Sequence, residues 1–227
     1  MQFSTMYAKG FAALCFVAAL AGCGTTPETR SDTTQQVGIA QATLANFQND
    51  PEMRAFRSYM GTAKAVVISP RVTKAGFVFG GSGGEALVLA RDKSGQWLGP
   101  AFYNMGAGSV GLQIGVEVSE VVILVMSDKA VNALLSRSFR LGGDASIAAG
   151  PIGVGTASTP SADMISFARS RGAFAGLSFD GAVLAPDTGA NSAFYGRAAS
   201  PVDILVRASV NNPAAAPLQQ ALRQMAR

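Results

Sequence analysis

Residues 111–126 read GLQIGVEVSEVVILVM, and this stretch decides the fold. In its first half Leu112, Ile114, Val116 and Val118 alternate with Gln113, Gly115, Glu117 and Ser119, the period of a strand with one wet face. Its second half, 121–126, is apolar throughout and rich in β-branched residues, which suits a strand buried on both faces. A helix restricts the χ1 freedom of so many valines. The stretch is expected at the centre of a mainly antiparallel sheet.

The flanks carry the same signals. Short apolar runs at 65–68, 76–79 and 85–90 predict strands, and Asp92-Lys93-Ser94-Gly95 a hairpin turn before Gln96-Trp97-Leu98 and Ala101-Phe102-Tyr103. Residues 163–170 predict a further strand, 142–151 a strand of small residues, and Asp180-Gly181 a hairpin. Helical spacing marks 35–48, and Asp50-Pro51 predicts a second helix start, with Met53, Phe56, Tyr59 and Met60 as its apolar stripe. Residues 128–140, capped by Ser127 or Asp128, are the clearest helix of the body. Residues 191–195 and 201–206 predict short helical pieces, and 213–227 a helix or a tail. The predicted class is α+β: a β-rich antiparallel sheet curled into a barrel-like or sandwich core, with N-terminal amphipathic helices and one helix near 128–140.

Composition bounds the chemistry. The 227 residues suffice for one medium domain plus a leader. There is no histidine, which removes Ser-His-Asp and Cys-His catalysis and histidine metal sites. The two cysteines, Cys15 and Cys23, fall at the N-terminus, so the body is left without disulfide, thiolate metal site or thiol nucleophile. No metal and no cofactor is expected. A formal charge of +4 is too mild to imply nucleic acid. Gly106-Ala107-Gly108-Ser109-Val110-Gly111 fits G-x-G-x-x-G, but a strand pattern follows it where a dinucleotide site needs a helix. Asp128, Asp144, Asp163, Asp180 and Asp187 are the candidates for acid–base work. No spacing selects a pair among them, and aspartates before glycine or serine are commonly turn residues. The chain is therefore expected not to be an enzyme. Trp97 suits a core or turn aromatic, or a membrane anchor.

Residues 1–22 carry Lys9 and then an apolar run over 10–21, the pattern of a signal peptide. Leu20-Ala21-Gly22-Cys23 resembles the bacterial lipobox, which implies cleavage before Cys23 and acylation of its thiol. Gly24, where aspartate would signal inner-membrane retention, leans to a lipid anchor in the bacterial outer membrane. Residues 23–34, small and polar, are expected to be a flexible tether, and 35–227 a single domain.

Arg54, Arg57, Lys64, Arg71 and Lys74 lie in a run, 53–84, that contains no acidic residue. A basic amphipathic helix followed by basic turns suits an anionic membrane surface. A solvated face on a helix docked to the core gives the same pattern.

Six blocks in order resemble the SYLF domain: Gly80-Gly81-Ser82-Gly83-Gly84; Gly95-x-Trp97-x-x-Pro100; Gln113-Ile114-Gly115; Gly142-Gly143-Asp144-Ala145-Ser146 with Gly150-Pro151; Arg169-Ser170-Arg171-Gly172-Ala173-Phe174-Ala175-Gly176; and Phe194-Tyr195-Gly196. The likeness runs over about 55–196, and with the lipobox it is similar to bacterial lipoprotein members. The tyrosine of the family pattern is missing at Ser166-Phe167-Ala168. The resemblance implies binding of anionic phospholipid or phosphoinositide headgroups through the basic segment, with Arg54, Arg57, Lys64, Arg71 and Lys74 as headgroup ligands and Arg171 as a headgroup or turn residue. Some family members bind actin. The alternative expectation is a structural or partner-binding lipoprotein of the outer membrane.

Overall fold

The computed structural model describes residues 28–76, 79–110, 115–150, 161–170 and 179–226. Thr29 opens the first helix, α1 (Arg30–Asn49). The Thr29 hydroxyl accepts from the Asp32 N–H while the Asp32 carboxylate accepts from the Thr29 N–H, a reciprocal cap. The tether expected over 23–34 therefore gives way to helix at Arg30. Thr33, Val37, Ala40, Leu44 and Phe47, spaced by three and four, form the buried stripe of α1.

Asp50 was expected to start the second helix; it closes the first instead, its N–H donating to Asn46 O at 3.1 Å. Pro51 and Glu52 then turn the chain, and α2 (Arg54–Met60) begins after Met53 with no side-chain cap. Phe56 and Met60 of α2 are buried.

The strands are β1 (Ala65–Gly76), β2 (Phe79–Arg91), β3 (Trp97–Val110), β4 (Gly115–Val125), β5 (Phe139–Arg140), β6 (Ile147–Ala149), β7 (Met164–Ser170) and β8 (Val183–Pro186). They form one curled sheet in the order β5-β8-β3-β2-β1-β4-β7-β6, antiparallel except for β6 beside β7. The remaining helices are α3 (Asp128–Leu134), α4 (Thr188–Tyr195), α5 (Pro201–Leu205) and α6 (Ala216–Met225), the last preceded by a 3₁₀ turn over Pro213–Ala215. The fold is α+β. The helix expected over 128–140 ends at Leu134, because Phe139 joins the sheet opposite Leu184. In the turn between, the one Ser136 hydroxyl hydrogen is shared between Ala133 O at 2.6 Å and Ser138 O at 2.8 Å.

Strands predicted as short pieces are long and bent. β1 does not stop at Ser69-Pro70. It bulges there and continues, because a proline in a bulge removes no ladder hydrogen bond. The bulge rests on Gly84: a Cβ at that position would overlap the Arg71 backbone carbonyl. The glycine block lies within β2, and residues 106–110 of the G-x-G-x-x-G stretch lie within β3, so the described residues of neither form a strand-to-helix turn; Gly111 lies outside the described residues.

Each of β1–β4 thus has a core half and an outer half. Ala65, Val66, Val67 and Ile68 pair with Val125, Leu124, Ile123 and Val122, all buried. In the outer half of β4 the alternation is present, but the wet face is the valine face. Val116 is 74% and Val118 44% exposed, whereas Ser119 is buried.

Candidate functional site

Helix α1 lies across the sheet where the core half meets the outer half. Near its start Gln36 Nε2 donates to Glu85 Oε2 of β2 at 3.0 Å and to Glu28 Oε1 at 3.2 Å. Near its end Thr43 and Asn46 donate to Glu120 Oε1 of β4 at 3.3 and 2.7 Å. Arg169 of β7 completes this anchor. Its Nε reaches Asp50 Oδ2 and its Nη1 reaches Glu120 Oε2, each at 2.7 Å, with the guanidinium 5.8 Å from the Phe47 ring centroid. The Arg169 hydrogen bond is the main reason that the Asp50 carboxyl is held below its usual range.

The five cations expected to form one face are divided by this frame. Arg54, on α2, is exposed and makes no ion pair among the described residues. Arg57, half-buried, donates from Nη1 to the carbonyls of Gln48 and Asp50 at 3.1 and 2.6 Å, and so satisfies the end of α1. Lys64 is paired with Asp128 at 2.5 Å. Arg71 is exposed on the β1 bulge, and Lys74 lies opposite Glu117 in the outer sheet. From Lys64 to Lys74 the strand runs about 30 Å, so the two mark opposite ends of β1. Cys23 and Arg171 lie outside the described residues. Trp97 is buried, with the Arg91 guanidinium 4.9 Å from its centroid, which makes it a core residue.

Beside α1 a cavity of about 690 Å³ opens over the outer sheet. Asp32, Gln35, Gln36 and Ile39 line it from α1, at helical spacing. Pro70, Arg71 and Thr73 line it from β1, Gly83, Gly84, Glu85 and Leu87 from β2, and Asn104 and Met105 from β3.

The aspartates weighed for catalysis have structural contacts. Asp187 caps α4, accepting from Ala190 N at 2.8 Å, and also takes the Asn104 amide at 2.7 Å. Asp144 accepts from Arg140 N at 2.7 Å in a turn, and Asp128 holds Lys64. Asp180 sits in the turn with Gly181, whose φ is +82°, and its carboxylate lies against Gly142. Among the described residues no group of three or more acidic or thiol side chains is placed to hold a metal ion.

Asp163 clasps the α3 cap to the β6 segment. It accepts from Ser127 Oγ at 2.6 Å and from Ser146 N and Oγ, both at 3.0 Å. The Ser127 hydrogen bond is the largest cause of its pKa of about 2. A depressed carboxylate stabilises the fold above its unfolded pKa, about 4, and that contribution is lost as pH falls toward 2. Thermal midpoints followed from pH 6 down to 2 should fall more steeply for the wild type than for Asp163→Asn between pH 4 and 2.

Neither Arg169 nor Asn191 was singled out from sequence for the contact it makes. Arg169 appeared only within the block Arg169-Ser170-Arg171, and its partners lie 119 and 49 residues away. Local spacing carries no signal for such pairs.

The family model described as "Ysc84: Las17-binding protein actin regulator" matches residues 106–225, from the outer half of β3 to the end of α6. The basic segment 53–74 lies outside that match. SH3 domain-containing protein PJ696.02 of Schizosaccharomyces pombe is 39% identical over 173 residues, covering 73% of this chain and 40% of the relative. Protein YSC84 of Saccharomyces cerevisiae is 33% identical over 162 residues, covering 68% and 35%. Human SH3 domain-containing YSC84-like protein 1 is 34% identical over 172 residues, covering 74% and 50%. The match thus spans half or less of each of these relatives. No solved structure matches the chain.

These relatives correct the expected location. They are proteins of yeasts and vertebrates, and a place in a bacterial outer membrane has no support from them. Among the described residues no helix is long and apolar enough to cross a membrane. The outer-membrane expectation rested on the few residues around Cys23, which lie outside the described fold. The family and its relatives are named for actin regulation, Las17 binding or SH3 domains, not for an enzymatic reaction. With more than half of its length matched by the family model, the chain belongs to the Ysc84, or SYLF, family.

Proposed function

We propose that this chain is a non-catalytic binding module that holds the phosphate groups of anionic phospholipids, phosphoinositides included, at a membrane surface. The observation that carries this is the acid-free run 53–84 with Arg54 and Arg71 exposed and without an ion pair among the described residues. Guanidinium groups in that state can give charge-assisted, bidentate hydrogen bonds to phosphate oxygens. Lys74 joins them at the outer end of β1. Arg57 and Lys64 contribute less, because backbone carbonyls and Asp128 already occupy them. The apolar stripe of α2 is spent on the core, so attachment is electrostatic and shallow, with no helix inserted. Acyl chains on Cys23 would add a covalent anchor.

The test is sedimentation of the chain beginning at residue 24 with vesicles. It should pellet with vesicles containing phosphatidylserine or phosphoinositide, and stay in solution with phosphatidylcholine alone. Each cation near such a surface is worth about 1 kcal/mol, or roughly fivefold in affinity. Arg54→Glu with Lys74→Glu should therefore abolish pelleting while the thermal midpoint holds. Equal pelleting with both vesicle types would reject the proposal. Arg57→Ala should do the reverse. It should lose about 1–3 kcal/mol of stability through the unmet carbonyls of Gln48 and Asp50, yet keep most of its vesicle binding below the melt.

A second reading, a module for a protein partner, is supported by the family's description as a Las17-binding protein actin regulator.

A further inference from the structure

We infer that the groove between α1 and the outer half of the sheet binds a cationic, apolar-spaced peptide segment of a protein partner. The lipid proposal and this one meet at Arg71, which borders the groove, whereas Arg54 and Lys74, the cations changed in the vesicle test, do not line it.

The floor of the groove is the exposed sheet face. Opposed residues on neighbouring strands share a face. The register therefore puts Val118, Thr73, Gly83 and Gly106 in one row, and Val116, Ala75, Gly81 and Gly108 in the next. Thr73 and Gly83 also line the cavity beside α1, so the cavity and this face are continuous. Half of the eight positions are glycine. The floor is flat, and a partner's backbone can approach it closely. Val116 and Val118 stand at its β4 side with 74% and 44% of their surface in water. Ile39, 47% exposed, faces the cavity from the α1 wall. Large apolar side chains gathered on one open face mark a docking surface more than a monomer's ordinary exterior.

Charge selects the occupant. Asp32 and Glu85 line the cavity against one guanidinium, Arg71. Glu28 and Asp187 stand close by: burial first, then Asp187, Glu85 and Asp32, raise the Glu28 carboxyl above its ordinary range. Asp32 and Glu85 in the wall, with Asp187 behind them on Asn104 and Glu28 sharing Gln36 Nε2 with Glu85, outweigh one arginine and favour a lysine or arginine side chain. The chain as a whole carries +4, so any attraction of a basic peptide must be local to this groove.

The test is fluorescence anisotropy with a short labelled peptide of alternating valine and lysine, and a control of alternating valine and glutamate. The full chain should bind the first and not the second. Glu85→Gln should weaken binding about three- to tenfold, and less so at high salt. Val116→Ser with Val118→Ser should weaken it about tenfold or more through lost apolar contact. All these side chains are exposed at least in part, so thermal midpoints should stay near wild type. Failure of the basic peptide to bind, equal binding of both peptides, or indifference to both sets of variants would overturn the inference. So would loss of vesicle pelleting in the valine variants with no peptide binding by the wild type, which would assign this face to the bilayer.

Discussion

Asn191→Leu should lower the unfolding free energy by about 3 kcal/mol, the cost of a buried backbone group left unmet plus the lost hydrogen bonds. The thermal midpoint should drop by roughly 6–12 °C for a domain of this size. β8 pairs with β3 only from Tyr103 to Gly106. At Phe102 the Asp187 N–H donates to the carbonyl at 2.9 Å, but no strand reaches the Phe102 N–H, and Asn191 of α4 meets it. Phe102 N donates to Asn191 Oδ1 at 2.9 Å, and Asn191 Nδ2 donates to Phe102 O at 3.0 Å and to Asp187 O at 2.7 Å. One amide thus exchanges the two bonds that a residue of an antiparallel neighbour would. The side chain is fully buried, so water cannot replace it. Leucine fills a similar volume but accepts nothing from Phe102 N. Asn191→Asp separates hydrogen bonding from packing. Its oxygens can still receive the Phe102 N–H, but an ionised carboxylate would face two carbonyls. Its folded pKa should therefore be raised, and this variant should gain stability as pH falls through that value. The leucine variant should show no such gain. Urea midpoints for the three proteins at pH 7 and pH 4 decide it.

The parts of this fold that can be read in the sequence are those set by local pattern. The run at 121–126, buried through Val125 with Met126 half-buried beyond the strand, the strand at 65–68 and the stripe of α1 each bury what their period says they bury. Turns at Asp92-Lys93-Ser94-Gly95 and Asp180-Gly181 fall where glycine supplies positive φ. Alternation gives a strand's period but not its sign. Val116 and Val118 face water because α1 covers their side of the sheet at Glu120 and stops there, a fact that residues 115–119 cannot contain. The cationic segment was visible as composition, yet its geometry was not. Which of the five positive charges remain unpaired depends on Asp128 and on the carbonyls at the end of α1. The groove was likewise hidden, since its wall and floor come from α1, β1, β2, β3 and β4 and no motif joins them.

Arg169→Met should show the second large effect, about 2–3 kcal/mol at pH 7. That is below the range for breaking a fully buried ion pair, since these side chains keep 18–31% of their surface in water. The variant leaves Asp50 and Glu120 on either side of an apolar side chain, and removes the cation that ties the end of α1 to β4 and β7. Arg169→Lys should recover only part of the loss. One ammonium is a compact point charge and does not present the fork that serves Asp50 from Nε and Glu120 from Nη1. The pH dependence tests the cause. In the wild type the depressed Asp50 carboxyl stabilises the fold above its unfolded pKa, about 4, and that contribution fades as pH falls through the folded value. Without Arg169 the largest source of the depression is gone, so the variant has less to lose in acid. The stability gap between wild type and Arg169→Met should accordingly narrow between pH 7 and pH 3. A gap that stays constant would mean that arginine acts there through its packing on Phe47 and not through its charge. In that case Glu120→Gln in the Arg169→Met background would restore nothing, whereas relief of unpaired negative charge should recover part of the lost stability.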